Sequence, residues 1–150
     1  MVALPHILII EAPYYTHIAA DLCNGAQAAL HQKATFDIIQ VPGALEIPAA
    51  VKIYADTGLY DGFIVLGCVI RGETSHYDIV AGESARAVMD LTVQNSLAIG
   101  NGILTVENEA QAIQRAKIDQ LNKGGGAAEA CLAMIHHKAI AGKKGHAQDV

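Results

Sequence analysis

The sequence predicts an α/β fold: a three-layer α/β/α sandwich with a four-stranded parallel sheet, flavodoxin-like in class. Three observations lead there. Four short apolar runs, HILII, FDIIQV, GFIVL and LAIGNGILT, alternate with segments of helical periodicity. The joints between them are short and marked by Pro or Gly, with no linker-like interruption. Of the 150 residues, 52% are hydrophobic and only 17% charged, enough to cover both faces of a sheet. Repeated strand–helix units with short loops imply parallel strands, right-handed crossovers and helices on both sides.

Each element has its own signal. His6 to Ile10 reads as a buried strand ended by Glu11-Ala12-Pro13. A helix follows with Ile18, Leu22, Gly25, Ala26, Ala29 and Leu30 on one face. Phe36 to Val41 is the second strand, stopped by Pro42-Gly43, and Leu45 to Tyr54 reads as a helix apolar on more than one side. Gly62 to Leu66 is the third strand, breaking at Gly67. After a polar patch comes a helical stripe of Val80, Ser84, Ala87, Val88 and Leu91. Leu97 to Thr105 is the fourth strand, with Gly100 and Gly102 loosening its middle. Glu107 to Leu121 is a helix opened by acids that complement its dipole. Lys123-Gly124-Gly125-Gly126 reads as the last punctuator before a helix striped with Ala128, Cys131, Leu132, Ile135 and Ala139. Residues 1–150 form one domain without internal repeats, and about 142–150 form a polar tail.

Bulk properties exclude several classes. A net charge of −5 opposes a nucleic-acid partner, since phosphate backbones require a basic face. No apolar run approaches the roughly 20 residues of a membrane span, and the first residues are no signal peptide. Three cysteines without C-x-x-C spacing, Cys23, Cys68 and Cys131, suit reduced thiols in a cytoplasmic protein, and core packing is the better reading of Cys68. The shortage of charge favours a homo-oligomer with part of its surface buried between subunits. The scattered histidines lack ligand spacing, so no metal is expected. Neither G-x-x-x-x-G-K-[ST], nor G-x-G-x-x-G after a strand, nor G-x-S-x-G occurs.

In a parallel sheet the strand-to-helix joints open on one edge, where ligands bind. Tyr14 and Tyr15 there either offer a stacking platform for a flat heterocycle or cover the core. Glu46 either compensates a helix dipole or accepts hydrogen bonds from a polyol or amine, and its apolar surroundings favour the ligand. Gly72, Glu73, Thr74, Ser75 and His76 precede a helix whose free N–H groups favour an anion, typically phosphate. Ser75 or Thr74 suits the N-cap. His76, at a positive helix end, is disposed to accept a proton, although a surface histidine beside Tyr77 is an equal reading. Arg115 offers a planar fork for phosphate and Lys123 a point charge, if they face that anion.

VPGALEIP, GCVIRGETSHYDIV, NGILTVENEAQA and NKGG, in this order along nearly the whole chain, resemble the 6,7-dimethyl-8-ribityllumazine synthase family. The resemblance implies condensation of 5-amino-6-ribitylaminouracil with 3,4-dihydroxy-2-butanone 4-phosphate, the penultimate step of riboflavin synthesis, without a cofactor. It assigns Tyr14 to stacking on the pyrimidine, Glu46 with Ala44 and Leu45 to the ribityl chain, and Val69 and Ile70 to the pyrimidine edge. Gly72, Glu73 and Thr74 match the phosphate cradle, Arg115 its ionic partner, His76 the proton acceptor and Lys123 a basic residue near the pyrimidine. It further implies homopentamers with sites between subunits, the stretch from Asn101 to Lys123 coming from a neighbour. Two positions depart: Asn101 stands where many members carry a phenylalanine that closes over the ring, and Pro13-Tyr14 where many carry arginine-phenylalanine. A non-catalytic flavin or lumazine binder and a flavodoxin-like electron carrier are the rival functions. The second lacks a phosphate loop after the first strand.

Overall fold

A computed structural model describes residues 3–148, with side chains through residue 143. Four strands and five helices alternate: β1 (His6–Glu11), α1 (Thr16–Leu30), β2 (Thr35–Gln40), a 3₁₀ turn (Ala44–Glu46) leading into α2 (Ile47–Ala55), β3 (Gly62–Ile70), α3 (His76–Gln94), β4 (Ile99–Val106), α4 (Glu109–Ala116) and α5 (Lys123–Gln148). The sheet is parallel with order β2-β1-β3-β4. The two central strands are the most apolar, and Ile7, Leu8, Ile9, Ile10 and Ile64 are fully buried. Each such side chain contributes roughly 1.5–3 kcal/mol.

The sheet separates two cores. On one face Ile7, Ile9, Ile64 and Leu104 meet Leu22, Ala112, Ala127 and Cys131 of α1, α4 and α5. On the other, Leu8, Ile10, Val65 and Ile99 meet Ile47, Val51, Val80 and Val88 of α2 and α3. At the amino edge, His6 donates its backbone N–H to Asp61 at 2.8 Å and stacks on Tyr60 with ring centres 5.1 Å apart. Its ring nitrogens lie 2.8 Å from the Thr35 hydroxyl and 3.0 Å from Asp37.

Four expectations are corrected. β3 does not break at Gly67: it runs to Ile70, pairing with β4 up to Val106. Gly100 and Gly102 do not loosen β4 but let α5 close on it, since a Cβ at Gly100 would overlap the Ala127 carbonyl. Lys123-Gly124-Gly125-Gly126 is not a break but the first turn of α5. A Cβ at Gly124 would overlap the Leu22 carbonyl of α1, so close helix packing outweighs the poor helix propensity of glycine. The helix expected over Glu107 to Leu121 ends at Ala116. Beyond it the backbone turns so that Asn122, at φ 47°, can open α5, its side-chain oxygen accepting the Gly125 N–H at 3.2 Å. The α5 backbone is helical to Gln148, through most of the expected tail. The side chains of 144–148, and residues 149–150 altogether, lie outside the described residues.

Candidate functional site

Unequal strand lengths create the site. β1 ends its pairing at Glu11 opposite Leu66, and the Ala12 N–H donates to the Leu66 carbonyl at 2.9 Å. β3 continues for four more residues with β4 alone beside it. Alternate residues of a parallel strand turn their amide groups to the same side. Phe63 and Arg71 donate to the β4 side, to Ala98 and Val106, so Cys68 and Ile70 turn theirs to the side β1 has vacated. A notch with bare backbone donors and acceptors results.

Three strand-to-helix joints close round this notch in a cleft of about 370 Å³, lined by Tyr14 and Tyr15, by Gly43 to Glu46, by Cys68 to Ile70, and by His76 and Val80. Tyr14 is 76% exposed and meets Tyr15 edge to face at 4.9 Å, so it is a free aromatic face rather than a cover for the core. Ala44 is buried, while Leu45 and Glu46 are exposed, Glu46 standing at the N-cap position of α2. Val69 is buried and its amide turns towards β4, so Ile70 and Cys68 offer the backbone edge on this side. Gly43, Cys68 and Val80 line the cleft without a signal in the sequence, because the relative lengths of paired strands and the packing of α3 emerge only in the fold.

His76 is the first residue of α3 and exposed. Its backbone N–H donates to the Thr74 hydroxyl at 3.3 Å, so Thr74 does the capping and Ser75 only occupies the N-cap position. Its ring makes no hydrogen bond among the described residues. Gly72, Glu73 and Thr74 form an exposed loop beside the cleft without lining it, and a Cβ at Gly72 would meet nothing within 4 Å.

Asn101, Arg115 and Lys123 do not line the cleft. Asn101 sits exposed on edge strand β4, its side-chain oxygen accepting the Ile103 N–H at 2.9 Å. Arg115 and Lys123 belong to α4 and α5, which pack on the α1 side of the sheet. Arg115 donates to the Gln111 carbonyl at 3.3 Å, and Lys123 is exposed at the start of α5. A cation there opposes the helix dipole, which folding alone does not favour. Burial pushes the Cys68 thiol up to about 11, with Glu109 adding to it, and Cys131 up to about 12. Neither is a thiolate nucleophile near neutral pH, in keeping with the packing reading.

A parallel flavodoxin-like sandwich, with a cleft at the carboxyl edge lined by the exposed Tyr14 and by His76, defines the class: α/β/α proteins with the place for a small ligand at the strand ends. The family follows from comparison. Residues 5–139 match the 6,7-dimethyl-8-ribityllumazine synthase family, and the chain belongs to it. It is 60% identical over 136 residues to the 6,7-dimethyl-8-ribityllumazine synthase of Methylobacterium radiotolerans, covering 90% of this chain and 83% of the relative. The enzyme of Bartonella tribocorum is 60% identical over 133 residues, with 87% and 88% covered. The 6,7-dimethyl-8-ribityllumazine synthase 1 of Rhizobium meliloti is 58% identical over 139 residues, with 89% and 91% covered. Nothing in these comparisons supports a non-catalytic binder or an electron carrier. Among the described residues no helix is long and apolar enough to cross a membrane.

Proposed function

We infer that this chain is a 6,7-dimethyl-8-ribityllumazine synthase, condensing 5-amino-6-ribitylaminouracil with 3,4-dihydroxy-2-butanone 4-phosphate in riboflavin biosynthesis. The observation that carries the reading, beside family membership, is the notch beyond β1 with an aromatic face on one wall and His76 on the other. The pyrimidine lies on Tyr14 with its polar edge on the Ile70 and Cys68 amides, and its ribityl chain runs along Ala44 to Glu46. The phosphate of the second substrate sits on Gly72, Glu73 and Thr74 at the start of α3, where free N–H groups favour an anion. The substrate's own amine attacks the ketone, so no enzyme nucleophile or cofactor is required. His76 takes and returns protons as phosphate and water leave.

Holding two substrates in register supplies up to roughly 7–11 kcal/mol in favourable cases. Proton transfer by His76 supplies about 10²–10⁴-fold in rate. Arg115 and Lys123 complete the site from a neighbouring subunit of a homo-oligomer, a pentamer on family grounds. Their absence from the lining of their own chain's cleft, and the unfavourable place of Lys123 at a helix N-terminus, support this. Three cysteines without disulfides suit a cytoplasmic setting, and the charge of −5 argues against nucleic acid.

The test is product formation from both substrates, followed by lumazine absorbance, with His76→Ala alongside. The wild type should exceed the uncatalysed rate, and the variant should fall about 10²-fold while still turning over. A wild type that only binds product would overturn the enzymatic reading.

A further inference from the structure

Arg71 is the first residue past β3, immediately before the loop that receives the phosphate in the reading above. Its backbone N–H donates to the Val106 carbonyl at 2.9 Å, the last rung between β3 and β4. Its side chain then reaches across: Nε donates to Glu107 at 2.8 Å and Nη1 to Asp78 at 3.2 Å. The guanidinium carbon stands 4.2 Å from the centre of the Tyr77 ring. One side chain thus ties together the end of β3, the residue after β4 and the first turn of α3. Within the loop, side chains add, among the described residues, only the bond from the His76 N–H to Thr74. The ends of the loop are pinned; its middle is bare.

We propose that Arg71 is a positioning residue: it sets the angle at which α3 leaves the sheet, and with it the places of the loop amides and of His76. Its role differs from that of a phosphate ligand, because Nε and Nη1 are held by two carboxylates whose negative charge offsets its own beside the loop. Exposed ion pairs of this kind contribute little to global stability. Catalytic geometry is more sensitive, since a displacement of about 1 Å can cost roughly 10²-fold in rate. The inference rests on the lumazine synthase reading and deepens it. Glu107 is 36 residues from Arg71, so the connection cannot be found from local spacing.

The experiment compares Arg71→Ala, Arg71→Lys and Glu107→Gln in the two-substrate assay, with thermal unfolding of each. Arg71→Ala should raise KM for the phosphorylated butanone and lower kcat, each about 5- to 10-fold, while KM for the pyrimidine stays within about 2-fold and the unfolding midpoint barely moves. Glu107→Gln should shift the same parameters in the same direction by less, and Arg71→Lys should recover part of the loss. An Arg71→Ala enzyme like the wild type would overturn the proposal while leaving the enzymatic reading intact. Tighter butanone phosphate binding in Glu107→Gln would also overturn it, since a freed Arg71 would then be the ligand. Absence of product with the wild type would instead sink the reading on which the proposal rests.

Discussion

The two faces of the sheet are covered in different ways. On one, α1 buries seven of its 15 residues and lies so close to α5 that a Cβ at Gly124 would overlap the Leu22 carbonyl. On the other, α3 is longer, at 19 residues, yet buries only Val80, Ser84 and Val88, and leaves Ile79, Met89 and Val93 more than half exposed. Small residues make the first face self-sufficient. The second keeps apolar surface in reserve and ends, at His76, in the cleft. The scaffold is tightened on the α1 and α5 side, while the α2 and α3 side lines the cleft and leaves more of its helix surface apolar and open.

The largest expected effect strikes the tight face. Gly100→Ala should destabilise the fold by about 3 kcal/mol, because a backbone carbonyl rather than a mobile side chain stands in the way. Urea unfolding measures this, and a loss below about 1 kcal/mol would mean that α5 can yield and that the contrast between the faces is weaker than stated. An intermediate effect belongs to the open face. Met89→Lys combined with Val93→Lys should lower the mass in sedimentation by breaking contacts between subunits, with helical content unchanged. An unaltered oligomer would show that α3 faces only water.

The smallest effect lies at the amino edge, away from both. The Tyr60 hydroxyl, and then the His6 ring, hold the Asp37 carboxyl below its ordinary value of 3.8. A carboxylate depressed in this way adds stability above its unfolded pKa and loses it as pH falls through the lower folded value. Asp37→Asn should therefore unfold slightly earlier than the wild type at pH 5, and the gap should close as the pH falls below 3.8. A gap that grew with acid would contradict the assignment.

The limits of sequence reading show at particular residues. The cleft residues Tyr14, Glu46 and His76 were legible because each follows the carboxyl end of an apolar run, and parallel strands bring such ends together, whereas Ile70 entered only through the family resemblance. The glycines of β4 were misread as loosening the strand and those of α5 as a break, since their role is to admit a neighbour tens of residues away. Arg71 went unnoticed for the same reason, its partner Glu107 arriving only through the β3–β4 pairing. The early end of α4 was hidden too, because helical periodicity persists past Ala116 while the start of α5 demands a turn.

Alternating apolar runs and short joints determined a parallel α/β/α sandwich with polar joints on its carboxyl edge, and the motifs VPGALEIP, GCVIRGETSHYDIV, NGILTVENEAQA and NKGG carried the resemblance to the family. These are properties of local pattern and chain order, which the one-dimensional string carries in full. Only the tertiary structure decided that β3 outruns β1 to expose the Cys68 and Ile70 amides, that glycines weld α1, α5 and β4, and that Arg115 and Lys123 stand apart from the cleft of their own chain. Each depends on relative length, register or distance between segments remote in sequence, quantities that come into being only when the strands pair and the helices pack.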